Sequence, residues 1–346
     1  MASNLFRFPL QTIRTPKPSS LLPLPRTLFP SLPIPLQLHQ QKHQEQPNFS
    51  FFPKTLLHKS RIPSLSLHSS LSSYNPPITK EEAIHQAKTC LSTTLEKPLN
   101  NPRLSAGKLK KQKQPRLRVE IPVLDDSDES LTQLAFQIFQ DLPIKRKGSP
   151  VNLLILWPNP TLTDLANKAF FNSQSSNPVQ NLDISSVTYN DYFTRILNSA
   201  DVAVFLAPES SQLEVMRTIS DGFYPKPVVV FNPKWGFEEE SGFGELSGFV
   251  GSFEVVYSFM GLEVRGLLRK KKAVVFRCVR DGVVSGENWM VLVEEEGDLK
   301  VVTRFKKRPM IGEVENVLYN LMAVNSPVTK SAKFLRDLVS NVTGRK

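Results

Sequence analysis

Cysteine is nearly absent: Cys90 and Cys278 are the only two, and no C-x-x-C pair occurs. That scarcity leaves neither a zinc knuckle nor a disulfide framework, and both residues read as separate core thiols. Histidine is almost as scarce. His39, His43, His58 and His68 all precede residue 70, and only His85 follows. A histidine zinc site is therefore excluded from the later chain, and a Ser-His-Asp triad would have to use His85. His85 falls off the apolar stripe of its helix and is expected to be exposed without a role. No uncharged apolar run approaches the roughly 20 residues of a bilayer span. No glycine lies between Ser199 and Asp221, although a phosphate loop there would need one.

Acid is missing from one end. Glu45 is the only carboxylate before Glu81, while serine, proline and leucine dominate the first 70 residues. Pro23, Pro25, Pro30, Pro33 and Pro35 oppose an amphipathic helix. An acid-poor, hydroxyl-rich, basic leader predicts a disordered chloroplast transit peptide over residues 1–70. This leader carries +7 of the chain's +11, leaving +4 for the rest. A body so near charge balance is not a general polyanion binder, and nucleic acid is not an expected partner.

Residues 71–346 are expected to form a single α/β domain. Thr79 and Glu82 have capping-box spacing, and Ile84, Ala87, Leu91 and Leu95 follow at helical intervals. Strands and helices then alternate to residue 235. RLRVEIPVL, VNLLILW, DISSVTY, DVAVFLA and KPVVVFN read as strands. Three of these, VNLLILW, DVAVFLA and PVVVFN, are apolar throughout, as strands buried on both faces are. The pattern predicts a mostly parallel, Rossmann-like sheet with helices on both faces, residues 77–235. Residues 236–309 read as an antiparallel meander, and residues 310–346 as two closing helices split by Ser326-Pro327.

Four places could carry chemistry. After DVAVFLAPE, Ser211 and Glu214 have capping-box spacing, and this junction reads as architecture. Asp125, Asp126 and Asp128 end the first strand, where phosphotransfer enzymes hold Mg²⁺. Such acids equally offset a helix dipole. A second carboxylate set and a positioned cation are missing, so no metal or cofactor is assigned. Gly242-x-Gly244 joins no strand to a helix and reads as a flexible loop. The fourth place is basic. One cluster comprises Lys108, Lys110, Lys111, Lys113, Arg116 and Arg118. The other joins Arg265, Arg269, Lys270, Lys271 and Lys272 to Arg304, Lys306, Lys307 and Arg308. Antiparallel pairing is expected to bring this second set onto one surface, suited to an anionic lipid headgroup layer.

The segments RLRVEIP, DVAVFLAPE, VVVFNPKW, FEVVYSFMGLEVRG, AVVFRC and NWMVLVEEEG, leading into FKKRP, occur in that order. The series resembles a plant and cyanobacterial domain family of unknown function. That family includes the third Low PSII Accumulation factor and the extension of a chloroplast adenylate kinase. VRDGVVSGEN departs from the family's shorter approach to Trp289. The resemblance carries no catalytic residues. It implies a non-catalytic factor assisting photosystem II biogenesis, in the stroma and peripherally on the thylakoid, with assembly proteins or an insertase as partners. The alternative is a stromal protein or enzyme binding a nucleotide or phosphometabolite.

Overall fold

The computed structural model describes residues 11–12, 75–100, 113–123, 127–171, 175–187, 191–265 and 270–324. The leader, Asp125, Asp126, Arg269 and the second closing helix lie outside the described residues. Among the described residues, no helix is long and apolar enough to cross a membrane.

The first helix, α1 (Lys80–Asn100), begins where the capping signal places it. The Glu82 amide donates to Thr79 Oγ1 at 3.1 Å, and the Glu82 carboxylate receives the Ile78 amide at 2.8 Å. Ala87, Leu91 and Leu95 are buried along its inner stripe, and His85 is exposed.

One continuous sheet organises the rest. Its strands are β2 (Arg116–Glu120), β3 (Leu153–Trp157), β4 (Val179–Asp183), β5 (Val202–Leu206) and β6 (Val228–Phe231). They are followed by β7 (Glu254–Arg265), β8 (Lys270–Cys278), β9 (Trp289–Glu295) and β10 (Asp298–Phe305). The order across the sheet is β10-β9-β8-β7-β2-β6-β5-β3-β4, and the two-residue β1 (Gln11–Thr12) pairs beside β7. β2 through β7 pair in parallel, whereas β7 to β10 form an antiparallel meander. β7 belongs to both parts. It runs parallel to β2 on one edge and antiparallel to β8 on the other, so residue 235 divides no sheet.

Helices cover both faces. On one face α1, α2 (Asp128–Phe139) and α3 (Pro160–Phe171) bury Leu91, Leu134, Ile138 and Leu162 against Val119, Ile155 and Phe276. On the other, α4 (Asp191–Ser199), α5 (Leu213–Phe223) and α6 (Ser247–Val250) bury Phe193, Met216 and Phe249 against Phe205 and Val230. α7 (Ile311–Val324) places Val314 and Leu318 over Trp289 and Val291 of the meander.

Three expectations need correction. DISSVTY is not a strand: the edge strand is Val179–Asp183, and Ile184–Ser186 is a 3₁₀ turn. Pro178 starts the strand, and Asp183 ends it by accepting the Ser185 amide at 2.8 Å. The Gly242-x-Gly244 segment is not a flexible loop but a run of 3₁₀ turns leading into α6. It is held by buried Glu240 and by an edge-on contact of Phe243 with Trp235 at 6.0 Å. The two cysteines are not separate: Cys90 of α1 and Cys278 of β8 touch, 3.4 Å between sulfurs.

The divergent VRDGVVSGEN loop docks on α1. Asp281 Oδ1 accepts the Val283 amide at 3.0 Å, and Gly282 takes φ +69°. A Cβ at Gly282 would lie 2.5 Å from the Thr93 carbonyl oxygen, which is helix backbone and cannot swing aside. Gly282→Ala is therefore expected to cost about 1–3 kcal/mol in urea unfolding. Gly242→Ala, with open space around it, is the control and should stay within about 0.5 kcal/mol.

Candidate functional site at the strand carboxyl ends

In a parallel sheet the carboxyl ends of strands whose connections leave on opposite faces form the natural ligand crevice. This sheet has two such places, between β3 and β5 and between β2 and β6. At each, a side chain of the chain itself bonds across the strand ends.

At the first, Asn159 caps α3 by accepting the Leu162 amide at 2.9 Å. Ala207, directly after β5, takes φ +43°, and Pro208 follows without an amide proton. The Glu209 amide donates to Gln212 Oε1 at 3.0 Å, and Gln212 Nε2 donates across the crevice to the Pro158 carbonyl at 2.7 Å. Lys234 Nζ lies 3.3 Å from Glu209. The capping pair is thus Glu209 and Gln212, not Ser211 and Glu214. A 3₁₀ turn over Ser210–Gln212 precedes α5 and moves the cap upstream, and Glu214 pairs instead with Arg217.

At the second crevice sits Asn232, φ +47°. Its Oδ1 accepts the Ile121 amide at 2.7 Å, and its Nδ2 donates to the Ile121 carbonyl at 2.7 Å. The side chain replaces the next rung of the β2–β6 ladder, and asparagine tolerates the left-handed backbone that this requires.

A buried ionic knot lies beside it. Leu117 and Val119 of β2, with Ile121 just after it, join the core of α1 and α2, so Arg118 and Glu120 face the opposite layer. Arg118 Nε is 2.7 Å from Glu120 Oε1, and Arg118 also pairs with Glu240. Arg308 NH1 reaches the same Glu120 oxygen at 3.0 Å, and the Ser258 hydroxyl donates to Glu120 Oε2 at 2.6 Å. The Arg308 guanidinium stacks 4.5 Å from the Phe237 ring centre and 5.2 Å from that of Trp289. Burial alone would raise the Glu120 carboxyl, but Arg118, Arg308 and the Ser258 bond outweigh it and bring it to about 2. Burial works against the charged Arg118 as well, yet Glu120 and Glu240 leave it above its ordinary value. Held ionised between the Arg118 and Arg308 guanidinium groups, the Glu120 carboxylate has no proton to give near neutrality. Its chemistry is that of a clamp joining the central strand to the meander.

Sequence reasoning misassigned part of this knot. Arg116 and Arg118 read both as members of a basic cluster and as part of the strand RLRVEIPVL; they belong to β2 and are not a free basic surface. Arg116 pairs with Asp221 at 3.4 Å and lies over Phe249, and Arg118 is almost fully buried. The available signal was the alternation R-x-R-x-E: charges in a strand that ends up central must be buried and paired.

Asp128 is in the first turn of α2, beside the capping Ser127 that accepts the Ser130 amide at 3.2 Å. Among the described residues, no group of three or more His, Cys, Asp or Glu could hold a metal.

The described members of the second basic set lie toward opposite ends of the meander. β9 runs between β8 and β10. Lys271 and Lys272 lie by the Glu295 end of β9, whereas Arg304 pairs with Met290 near its other end. The backbone places Arg265 opposite Lys270, at the Lys271 end. Lys271 pairs with Glu295 at 3.4 Å and Lys272 with Glu294 at 3.9 Å. Lys306 and Lys307 are exposed beyond β10. The physical reason is strand order: a hairpin with β9 intervening puts the two clusters at opposite ends.

Residues 77–316 match the family described as Domain of unknown function (DUF1995). No curated protein matches the chain. Among solved structures, it is similar to the KaiC-like protein PH0186 of Pyrococcus horikoshii OT3, at 12% identity over 60% of this chain and 98% of that one, with TM-score 0.31. It is also similar to the flagellar accessory protein FlaH of Methanocaldococcus jannaschii, at 9% identity over 54% and 90%, with TM-score 0.25.

Proposed function

The chain belongs to the DUF1995 family, and from that premise we propose that it is a non-catalytic chloroplast auxiliary factor assisting photosystem II biogenesis by protein contact. Its place of action is the stromal face of the thylakoid, with assembly proteins or an insertase as partners. The observation that carries this reading is that both strand-end crevices are bridged by the chain's own groups, Gln212 in one and Asn232 in the other. Strand ends bridged in this way favour action through the outer surface over binding of a ligand there. The acid-poor leader supports the compartment, and the resemblance of the ordered segments to the family that includes the Low PSII Accumulation factor supports the process. Attachment to the thylakoid is peripheral, through exposed lysines such as Lys306 and Lys307.

The competing reading is a nucleotide- or phosphometabolite-binding stromal protein. It has the Rossmann-like sheet behind it, and a fold alone does not choose a function.

Affinity capture of the full chain from chloroplasts tests the proposal. Thylakoid assembly proteins or an insertase are expected to come with it. The membrane-bound fraction is expected to leave in high salt without detergent, because screening shortens from about 10 Å at 0.1 M to about 3 Å at 1 M. Capture without thylakoid proteins, combined with saturable nucleotide binding by the pure chain, overturns the proposal in favour of its competitor.

A further inference from the structure

The chain's only two cysteines are 188 residues apart in sequence and 3.4 Å apart in space. Both are free thiols with no exposed surface. Cys90 lies midway along α1, and Cys278 ends β8. The strand partner of Cys278 is Tyr257, a residue whose hydroxyl is buried without a hydrogen-bond partner. Both sulfurs belong to one apolar core with Leu91, Phe276 and Val279, and Arg280 lies near Cys278. An aliphatic pair would fill such a core equally well. Two thiols facing each other there add something that aliphatic groups lack, a bond that can be made and broken.

We propose that Cys90 and Cys278 are a reversible redox pair, and that their oxidation by an external disulfide ties α1 covalently to β8. The sulfurs need only close from 3.4 Å to the roughly 2.05 Å of a disulfide bond. The exchange balances as follows. The Cys278 thiolate attacks one sulfur of the external disulfide, forming a mixed disulfide and releasing one external thiolate. Cys90 gives up its proton and attacks the Cys278 sulfur, forming the internal bond and expelling the second external thiolate. Two protein thiols are oxidised by two electrons, the external disulfide is reduced to two thiols, and the two protons go to those thiols.

The two cysteines are suited to unequal roles. The bond from Cys90 and the nearby Arg280 favour the Cys278 thiolate over the opposing effect of burial, whereas Cys90 is raised by its bond to Cys278 and by burial. Cys278, at the end of β8 where the Gly282 loop begins, is the attacking sulfur, and Cys90, midway along α1, the resolving one. The Gly282 loop packs against Thr93, one helical turn from Cys90, and its lifting is the proposed route of access. The pair would then report on, and fix, the docking of α1. This inference does not depend on the auxiliary-factor reading.

The test uses the full chain and glutathione. The chain is held folded, and in parallel refolded from denaturant, in buffers of rising oxidised-to-reduced glutathione ratio. It is then acid-quenched, and free thiols are labelled with a heavy maleimide. Both thiols are expected to disappear together in a monomeric species, to return with dithiothreitol, and to raise the urea midpoint of unfolding. Cys90→Ser and Cys278→Ser should each abolish that monomeric, doubly protected species. Should either variant fail to fold, the oxidised and reduced wild-type chains still give the comparison. Retention of both thiols after refolding in the most oxidising buffer overturns the proposal. So does a glutathione adduct on one cysteine as the end product, or a disulfide between two chains.

Discussion

Glu120→Ala is expected to destabilise the protein by about 3–5 kcal/mol, because it leaves Arg118 and Arg308 buried without their shared anion. Glu120 is 7% exposed and Arg118 3% exposed, so water does not replace the lost partner. Glu240 still faces Arg118, but Arg308 has no second carboxylate bonded to it within the described residues. Acid supplies an independent check. The Glu120 carboxyl falls from its ordinary 4.5 to about 2 in the folded protein, where Arg118 and Arg308 outweigh the opposing effect of burial. A depressed folded value contributes stability that is complete above pH 4.5 and is lost as pH falls through about 2. The stability gap between wild type and Glu120→Gln, followed by urea unfolding, should therefore be widest near neutrality and narrow from pH 4.5 downward. A gap independent of pH would mean that the carboxylate's charge contributes nothing and that the site is held by shape.

Asn232→Ala is expected to cost about 3–8 kcal/mol, from two sources, of which the lost hydrogen bonds are the larger. Two buried backbone groups of Ile121 lose their partners, at about 1–3 kcal/mol each when left unmade. Alanine must also adopt φ +47°, which costs an L-residue roughly 1–2 kcal/mol. Asn232→Gly separates them: it removes the bonds and relieves the backbone, so it should be milder than alanine by about that 1–2 kcal/mol. Asn232→Asp keeps an acceptor for the Ile121 amide but loses the donor to its carbonyl, and should fall between wild type and alanine. Thermal or urea unfolding of the three variants gives the ranking. If alanine and glycine are equal, the left-handed backbone is without cost there. If all three match wild type, Asn232 does not hold the β2–β6 seam.

Much of the fold is legible in the sequence, and the reasons are local. VNLLILW, DVAVFLA and PVVVFN show themselves because a strand covered on both faces needs an apolar group at every position. α1 shows itself through Thr79, Glu82 and a four-residue apolar repeat, all within one helix. DISSVTY misleads because an edge strand is half exposed: β4 is of intermediate burial throughout, so Val179–Asp183 carries no apolar signature. The cap at Glu209 misleads for a related reason, since the 3₁₀ turn before α5 shifts by two residues a signal that Ser211 and Glu214 also satisfy.

The candidate site is less legible. Asn232 stands in VVVFNPKW as an ordinary strand terminator, and nothing nearby announces that its side chain will bond Ile121, 111 residues earlier. Arg118 and Glu120 alternate openly with apolar neighbours, but their partners Glu240 and Arg308 lie 122 and 188 residues away. The lysine clusters looked adjacent because their strands are close in sequence, and β9 between them keeps them apart.

By itself the sequence determined the kinds of element, their apolar faces and the α/β class, because these follow from periodicities of two and about 3.6 residues within each segment. Only the tertiary structure decided that the two cysteines meet, that β7 joins both halves of one sheet, and that the charges of β2 are a buried clamp rather than a basic surface. Those outcomes depend on which strand lies beside which, and contacts across more than a hundred residues leave no mark on the local pattern that forms each strand.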